Sequence, residues 1–357
     1  MSYTHHSLEH LNIDYLREFR YSMVPRWSEG SHLFTASFEP DVFKDSNIDK
    51  YIRFFRTKPK QAKAVLLVMN DTQQKHIDML NEYIPTIVFD QLLWETCKTL
   101  PEVTEWDMHA EKFVCLTGTP AKYHRYRLIV EMAKRNLLEH CDYSLRLTPG
   151  NLASSVRHLE PQDKLRYNNY NLNSNPDNSV WYEIEESGTG WHPHIMKTDI
   201  LKHKRFRLIS ETAYDSGDVG ISPHIYDKVK LITEKTWYTI GYKLPFIIAG
   251  QYGTCKYLNE LGFHTFDEYL VKPYDLIADS KERMYAILEN VEHWKDNVYP
   301  DMYDKIEENY NLMIEMGKEQ DSLFKSIQED ILNIPYDDSV LTQKTVTFLE
   351  ENCKKLD

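Results

Sequence analysis

"ITEKTWYTIGYKLPFIIAGQYGT", residues 232–254, sets an acidic and a basic residue, Glu234 and Lys235, between apolar runs that core packing alone would leave uncharged. Thr233 is the kind of residue that caps a helix start, so Glu234 and Lys235 fall in a first turn, beside free N–H groups and the positive end of the helix dipole. Pro245 then opens a short apolar strand, "PFIIAG", where a missing N–H is tolerated. A helix followed by a buried strand is part of an open α/β sheet, and in such sheets helix starts lie at the ligand-binding edge, beyond the carboxyl ends of the strands. At that edge a lysine can neutralise a diphosphate, and a neighbouring carboxylate can accept hydrogen bonds from ribose hydroxyls. The alternative is that Glu234 only favours the dipole and Lys235 points to solvent.

The same alternation extends in both directions. Downstream, "TCKYLNEL" reads as a helix ended by Gly262, and "KERMYAILENVEHW" carries Met284, Ile287, Leu288, Val291 and Trp294 at amphipathic helix spacing. Upstream, "RFRLISET" reads as a strand. Farther back, Ala64 to Met69 form a continuous apolar run of the kind found in buried parallel strands, followed by a helix in "QQKHIDMLNEYI" and a strand in "PTIVFD". A third unit is a strand at 112–116, a turn at Thr117 to Pro120, and a helix bearing Leu128, Met132 and Leu138 near one face, with Arg125, Arg127, Lys134 and Arg135 left for its start or its other faces. Two Rossmann-like halves are therefore expected.

Residues 146–200 break the pattern, being rich in Asn, Ser, Gly and Pro. The expected division is an N-terminal Rossmann-like domain over 1–150, a linker or insertion over 151–200, a second Rossmann-like domain over 201–290 and acidic helices over 291–357. His192 and His194 in "HPH" have no acidic or cysteine partner at ligand spacing and read as loop histidines.

With 357 residues, 41% apolar and 13% aromatic, the chain has material for two packed cores. Its five cysteines are scattered with no CxxC, which indicates neither a disulfide framework nor a zinc site and suits a reducing, cytoplasmic compartment. No signal-like segment or membrane-length apolar run is evident, so a soluble protein is expected. The net charge is −13, but Lys281 to Asp357 hold nine Lys/Arg against eighteen Asp/Glu, so the acidity is mainly a tail property. Three stretches are basic: "RFFRTKPKQAK" at 53–63, "KYHRYR" at 122–127 and "KHKRFR" at 202–207. Each reads as solvated surface by itself, and together they suggest a phosphate-receiving cleft.

The block "ISET…ITEKTW…LPFIIAGQYGTCKYLNELGFHTFDEYL…PYDLIAD…ER" resembles glycosyltransferase-like proteins of phages, large viruses and bacteria. It is similar to the donor domain of the α-1,3-fucosyltransferases, in which a Glu-Lys pair precedes a helix and a proline-led strand. The resemblance covers roughly residues 205–290, and "KFVCLTGTPAKYHRYRLIVEMAKRNLLEHCDYSL" looks like the upstream element that leads to a His-Arg pair, here His124 and Arg125. The resemblance lacks an arginine before that pair and does not reach the first ~110 residues. It implies a two-Rossmann, GT-B type fold whose C-terminal half binds a nucleotide-diphosphate sugar, UDP- or GDP-linked, as co-substrate without a cofactor. Lys235 would hold the diphosphate, Glu234 the ribose, Arg125 and His124 the phosphate side, and Thr233 and Glu211 the same pocket.

The implied reaction is displacement at the anomeric carbon, aided by cations that stabilise the leaving diphosphate. An inverting reaction needs a carboxylate base, and Asp71 and Asp90, each ending a predicted strand, are the candidates, although turn formation explains both equally well. Asp215 and Asp218 in "DSGD" have the wrong spacing for a metal-holding DxD pair, so no essential metal is expected. The acceptor is expected to be a glycan or small molecule. The alternatives are hydroxymethylated DNA, as for phage enzymes acting in the host cytoplasm, or an inactive nucleotide-sugar or glycan binder. A DNA acceptor would leave Phe54 and Phe55 free to stack on a base.

Overall fold

The strands Phe113–Leu116 and Phe246–Ala249 consist wholly of buried apolar residues, as strands of a parallel sheet covered on both faces do. The computed structural model describes residues 3–7, 31–36, 45–56, 63–68, 74–100, 105–117, 123–144, 201–215, 230–297 and 299–331. Asp71, Asp218, His192, His194 and the expected linker over 151–200 lie outside the described residues. The chain divides into two units, Met1–Glu95 with Glu315–Phe348, and Thr96–Ile314 with Leu349–Asp357.

The first unit holds a parallel sheet in the order β1 (Tyr3–Ser7), β2 (Ser31–Ala36), β3 (Lys63–Val68), β4 (Thr86–Val88). Helix α1 (Asp45–Phe55) joins β2 to β3 and α2 (Gln74–Asn81) joins β3 to β4. Ile48, Tyr51, Ile52, Phe54 and Phe55 of α1 share a core with Leu66 and Val68 of β3 and Ile77 and Leu80 of α2. Phe54 and Phe55 are 8% and 1% exposed and meet edge to face at 5.2 Å. A second cluster joins Phe89, Trp94 of α3 (Gln91–Thr99) and Phe324 of α8 (Met302–Ser326), with ring centroids 5.2–5.9 Å apart.

The second unit has strand order β6 (Cys141–Ser144), β5 (Phe113–Leu116), β7 (Arg207–Ser210), β8 (Phe246–Ala249), again all parallel. Helix α4 (Tyr123–Lys134) follows β5, α5 (Glu234–Gly241) follows β7, and α6 (Thr254–Glu260) follows β8. Helix α7 (Ser280–Asp296) buries Met284, Ile287, Leu288, Val291 and Trp294, and the Trp294 ring sits edge-on to Phe206, which stacks on Phe113 at 4.7 Å. Gly262 takes φ 95° just past α6, where Phe263 N donates to Leu258 O at 3.0 Å, closing the helix end as expected.

The chain is thus α/β with parallel sheets, but its division differs from the expected one. Residues 113–144, assigned by sequence to the N-terminal domain, belong to the sheet of β7 and β8: Val114 N donates to Phe206 O at 3.1 Å and Arg205 N to Lys112 O at 2.9 Å. Glu315–Phe348 belongs with the first unit. Chain proximity suggested the break near 150, whereas long-range strand pairing decides which sheet a strand joins. Among the described residues no helix is long and apolar enough to cross a membrane.

Candidate functional site

In the second sheet, β5 leads through α4 to β6 on one side, while β7 leads through α5 to β8 on the other. Consecutive connections therefore diverge between β5 and β7. At such a reversal an open α/β sheet leaves a crevice beyond the strands' carboxyl ends. Three polar segments converge there: the start of α4 with His124 and Arg125, the end of β7 with Glu211 and Thr212, and the start of α5 with Thr233, Glu234 and Lys235.

Glu211 is the anchor. It is fully buried, and its side-chain oxygens accept four hydrogen bonds: Oε1 from Thr233 N (3.2 Å) and Thr236 Oγ1 (2.6 Å), Oε2 from Thr233 Oγ1 (2.6 Å) and Thr212 N (3.0 Å). Its carbonyl accepts from His124 Nε2 at 3.0 Å and Arg125 Nη2 at 3.5 Å. One residue at a strand end thus ties together the starts of both flanking helices. Upstream of α5, Leu231 N donates to Gln251 Oε1 (2.8 Å) and Lys230 Nζ to Tyr252 O (2.6 Å), fixing the segment against the loop after β8.

Thr233 caps α5 as expected, its Oγ1 accepting from Lys235 N at 3.4 Å, while Thr236 N and Trp237 N donate to its carbonyl. The N–H groups of Lys235, Thr236 and Trp237 are thus occupied by the protein itself. Charge for an anion must come from side chains. Lys235 Nζ and Arg125 Nη2 both donate to Thr212 Oγ1, each at 3.4 Å, so two cations converge on one hydroxyl. Lys235 Nζ also donates to Thr233 Oγ1 at 3.2 Å and to Glu234 Oε1 at 2.6 Å. The Lys235 and Glu234 side chains are 9% and 19% exposed. Burial alone would raise the Glu234 carboxyl, but the adjacent Lys235 ammonium, with Arg125 beyond it, holds it below the usual carboxylate value.

A supporting layer lies beside this group. The His124 ring stacks on Tyr214 at 5.3 Å, and Arg283 covers the same tyrosine at 4.5 Å. Arg283 Nη2 donates to Tyr214 O (2.7 Å) and Nη1 to Ile277 O (2.7 Å), so the "ER" arginine of the resembling block holds loops together. Arg207, missed by sequence reading because it looked like surface, is 1% exposed at the start of β7. Burial lowers its pKa to about 10, against the opposing pull of Cys115, Glu211 and Glu234. Its Nε and Nη1 find no hydrogen-bond partner among the described residues.

The structure brings together Thr233, Glu234, Lys235, Glu211, Arg125 and His124. Glu211, expected to line the pocket, instead turns its carboxyl group onto the protein. The basic stretches do not share one edge. The segment 202–207 precedes β7 at its amino end, where Lys204 pairs with Asp142 at 2.5 Å and Arg205 Nε donates to Ala110 O at 2.9 Å; Arg125 stands at the opposite edge. In the first unit, Asp90 caps α3 through Leu93 N at 2.9 Å. Burial pushes its carboxyl up to about 6, against the pull of the Leu93 and Leu92 N–H groups. Thr212 and Thr236 escaped the sequence reading; the T-x-x-T spacing of Thr233 and Thr236 was the available signal. No protein-family model matches this chain, and no curated protein matches it.

Proposed function

We propose that this protein is a two-Rossmann, GT-B type glycosyltransferase that binds a UDP- or GDP-linked sugar at the β5/β7 crevice and transfers the sugar to a hydroxyl of a glycan or small molecule. One observation carries the reading: Lys235 and Arg125 converge on the Thr212 hydroxyl at 3.4 Å each, at the reversal point of a parallel sheet, with the Glu234 carboxylate alongside. A diphosphate replacing that hydroxyl as acceptor would take charge-assisted hydrogen bonds from both cations.

In the proposed reaction the acceptor oxygen bonds to the anomeric carbon as the bond from that carbon to the diphosphate oxygen breaks. The electron pair leaves with the nucleoside diphosphate, whose growing charge Lys235 and Arg125 stabilise. The acceptor proton goes to a carboxylate, with Asp71 and Asp90 as candidates. A carboxyl with a pKa raised to about 6 suits a base near neutrality, but Asp90 must leave its cap on α3 to serve as one. The DNA alternative loses its aromatic argument, because Phe54 and Phe55 are packed in the core of the first unit.

The test is turnover of a panel of UDP- and GDP-sugars with mixed glycan and small-molecule acceptors, read by mass spectrometry, with hydroxymethylated DNA as a separate arm. Sugar transfer that survives EDTA and is lost in Lys235→Ala supports the proposal. Absence of nucleotide binding, or manganese-dependent turnover indifferent to Lys235, overturns it.

A further inference from the structure

Lys235 faces an anion already, and that anion is its own neighbour. The Nζ to Oε1 distance is 2.6 Å and both side chains are largely withdrawn from water, so leaving either partner unpaired costs more than it would at an exposed pair. A ligand phosphate that draws Lys235 away strips Glu234 of its counter-charge and brings a second negative group beside it. Leaving a shielded carboxylate unpaired is costly unless new donors reach it.

We propose that Glu234 acts as an internal competitor for Lys235, so that the crevice accepts phosphate well only from a ligand that also offers hydroxyl donors to the released Glu234 carboxylate. A vicinal diol a few bonds from a diphosphate meets both demands at once: the phosphates accept from Lys235 and Arg125, and the two hydroxyls donate to Glu234. Pyrophosphate meets only the first and a nucleoside only the second. Glu234 is then a specificity-determining residue that couples the two halves of the ligand. For the identity of the ligand, a nucleoside diphosphate, the inference rests on the donor-binding reading above; for the competition itself it rests on the ion pair alone.

The test uses the full chain and titration calorimetry with inorganic pyrophosphate, with UDP and GDP, and with their 2′,3′-dideoxy counterparts. In Glu234→Gln the competing charge is gone, so pyrophosphate affinity should rise about tenfold, which corresponds to roughly 1.4 kcal/mol. The preference of the wild-type protein for the ribose over the dideoxy nucleotide should shrink towards one. Pyrophosphate affinity that is unchanged or lower in a folded Glu234→Gln protein overturns the proposal, since a purely structural ion pair predicts that result. Should that variant fail to fold, Glu234→Asp, which draws the carboxylate back by one methylene, must raise pyrophosphate affinity by a smaller factor; no rise overturns the proposal equally. A pyrophosphate gain without nucleotide binding to the wild-type protein would sustain the competition while removing the donor reading, so the two fail separately.

Discussion

Among the described residues the two parallel sheets have four strands each in different orders, β1-β2-β3-β4 in one and β6-β5-β7-β8 in the other. In the first, each step moves in the same direction, and α3, which follows β4, is capped locally by Asp90 amid Phe89, Trp94 and Phe324. In the second, connections diverge, and the starts of α5 and α6 are held by carboxyl groups from elsewhere in the chain, α5 in addition to its own Thr233 cap, while α7 is capped locally by Asp279. Glu211 reaches α5 from β7, and Asp275 reaches α6 by accepting from Cys255 N and Lys256 N at 2.9 Å each. A reversal opens a crevice between diverging helices, and long-range caps hold that crevice in shape. The Glu211 carboxylate is buried there because each of its oxygens is held by two donors.

The largest expected effect sharpens this contrast between local and long-range caps. Glu211→Ala leaves the Thr233 and Thr212 N–H groups and two threonine hydroxyls without their acceptor in a buried place, and should cost about 4 kcal/mol in denaturant unfolding. Asp90→Ala, which removes a local cap, should cost only about 1–2 kcal/mol. Equal losses would break the distinction. Glu211→Gln should fall between, since threonine hydroxyls can reverse direction to suit an amide but the Thr212 N–H cannot.

Asp90 also provides a pH test specific to the first unit. Its carboxyl is raised to about 6 in the folded protein and lies near 3.9 when unfolded, so the folded state holds the proton more tightly. Its stabilising contribution is complete below about pH 4 and is lost as pH rises through about 6, by up to roughly 3 kcal/mol. Asp90→Asn does not ionise and should flatten that part of the stability profile relative to wild type; parallel profiles would reject the assignment.

Lys235→Ala should leave the second unit folded and weaken nucleoside diphosphate binding by about 10-fold to 100-fold, the value of a charge-assisted contact of roughly 1.5–3 kcal/mol. Unchanged affinity by calorimetry would detach the crevice from any phosphate role. The smallest effect concerns the framework. Gly262→Ala places a side chain at φ 95°, with its Cβ 3.3 Å from Leu312 Cδ2, and should cost about 1 kcal/mol in thermal or denaturant unfolding without changing nucleotide affinity.

Much of the α/β alternation was legible in the residues. Short apolar runs marked β3, β5 and β8, amphipathic spacing marked α7, and Thr233, Pro245 and Gly262 marked boundaries, because each of these signals acts over a few neighbouring residues. β1, "YTHHS", and β2, "SHLFTA", lack the continuous apolar run that identified β3, and so escaped notice. The basic stretches misled for a related reason: charge in sequence says nothing of burial, and Arg125 and Arg207 are 2% and 1% exposed.

What the sequence determined by itself was local: an α/β alternation, a capped helix carrying Glu234 and Lys235, and the pairing of His124 with Arg125 on a helix start. Only the tertiary structure decided that residues 113–144 share a sheet with β7 and β8, that Glu211 faces inward onto Thr233 and Thr236, and that Arg125 and Lys235, 110 positions apart, meet on Thr212. Helix caps and strand runs are encoded by near neighbours in the chain. Sheet order, and the crevice that a reversal of order creates, depend on pairings between distant segments, whose partners no local pattern names.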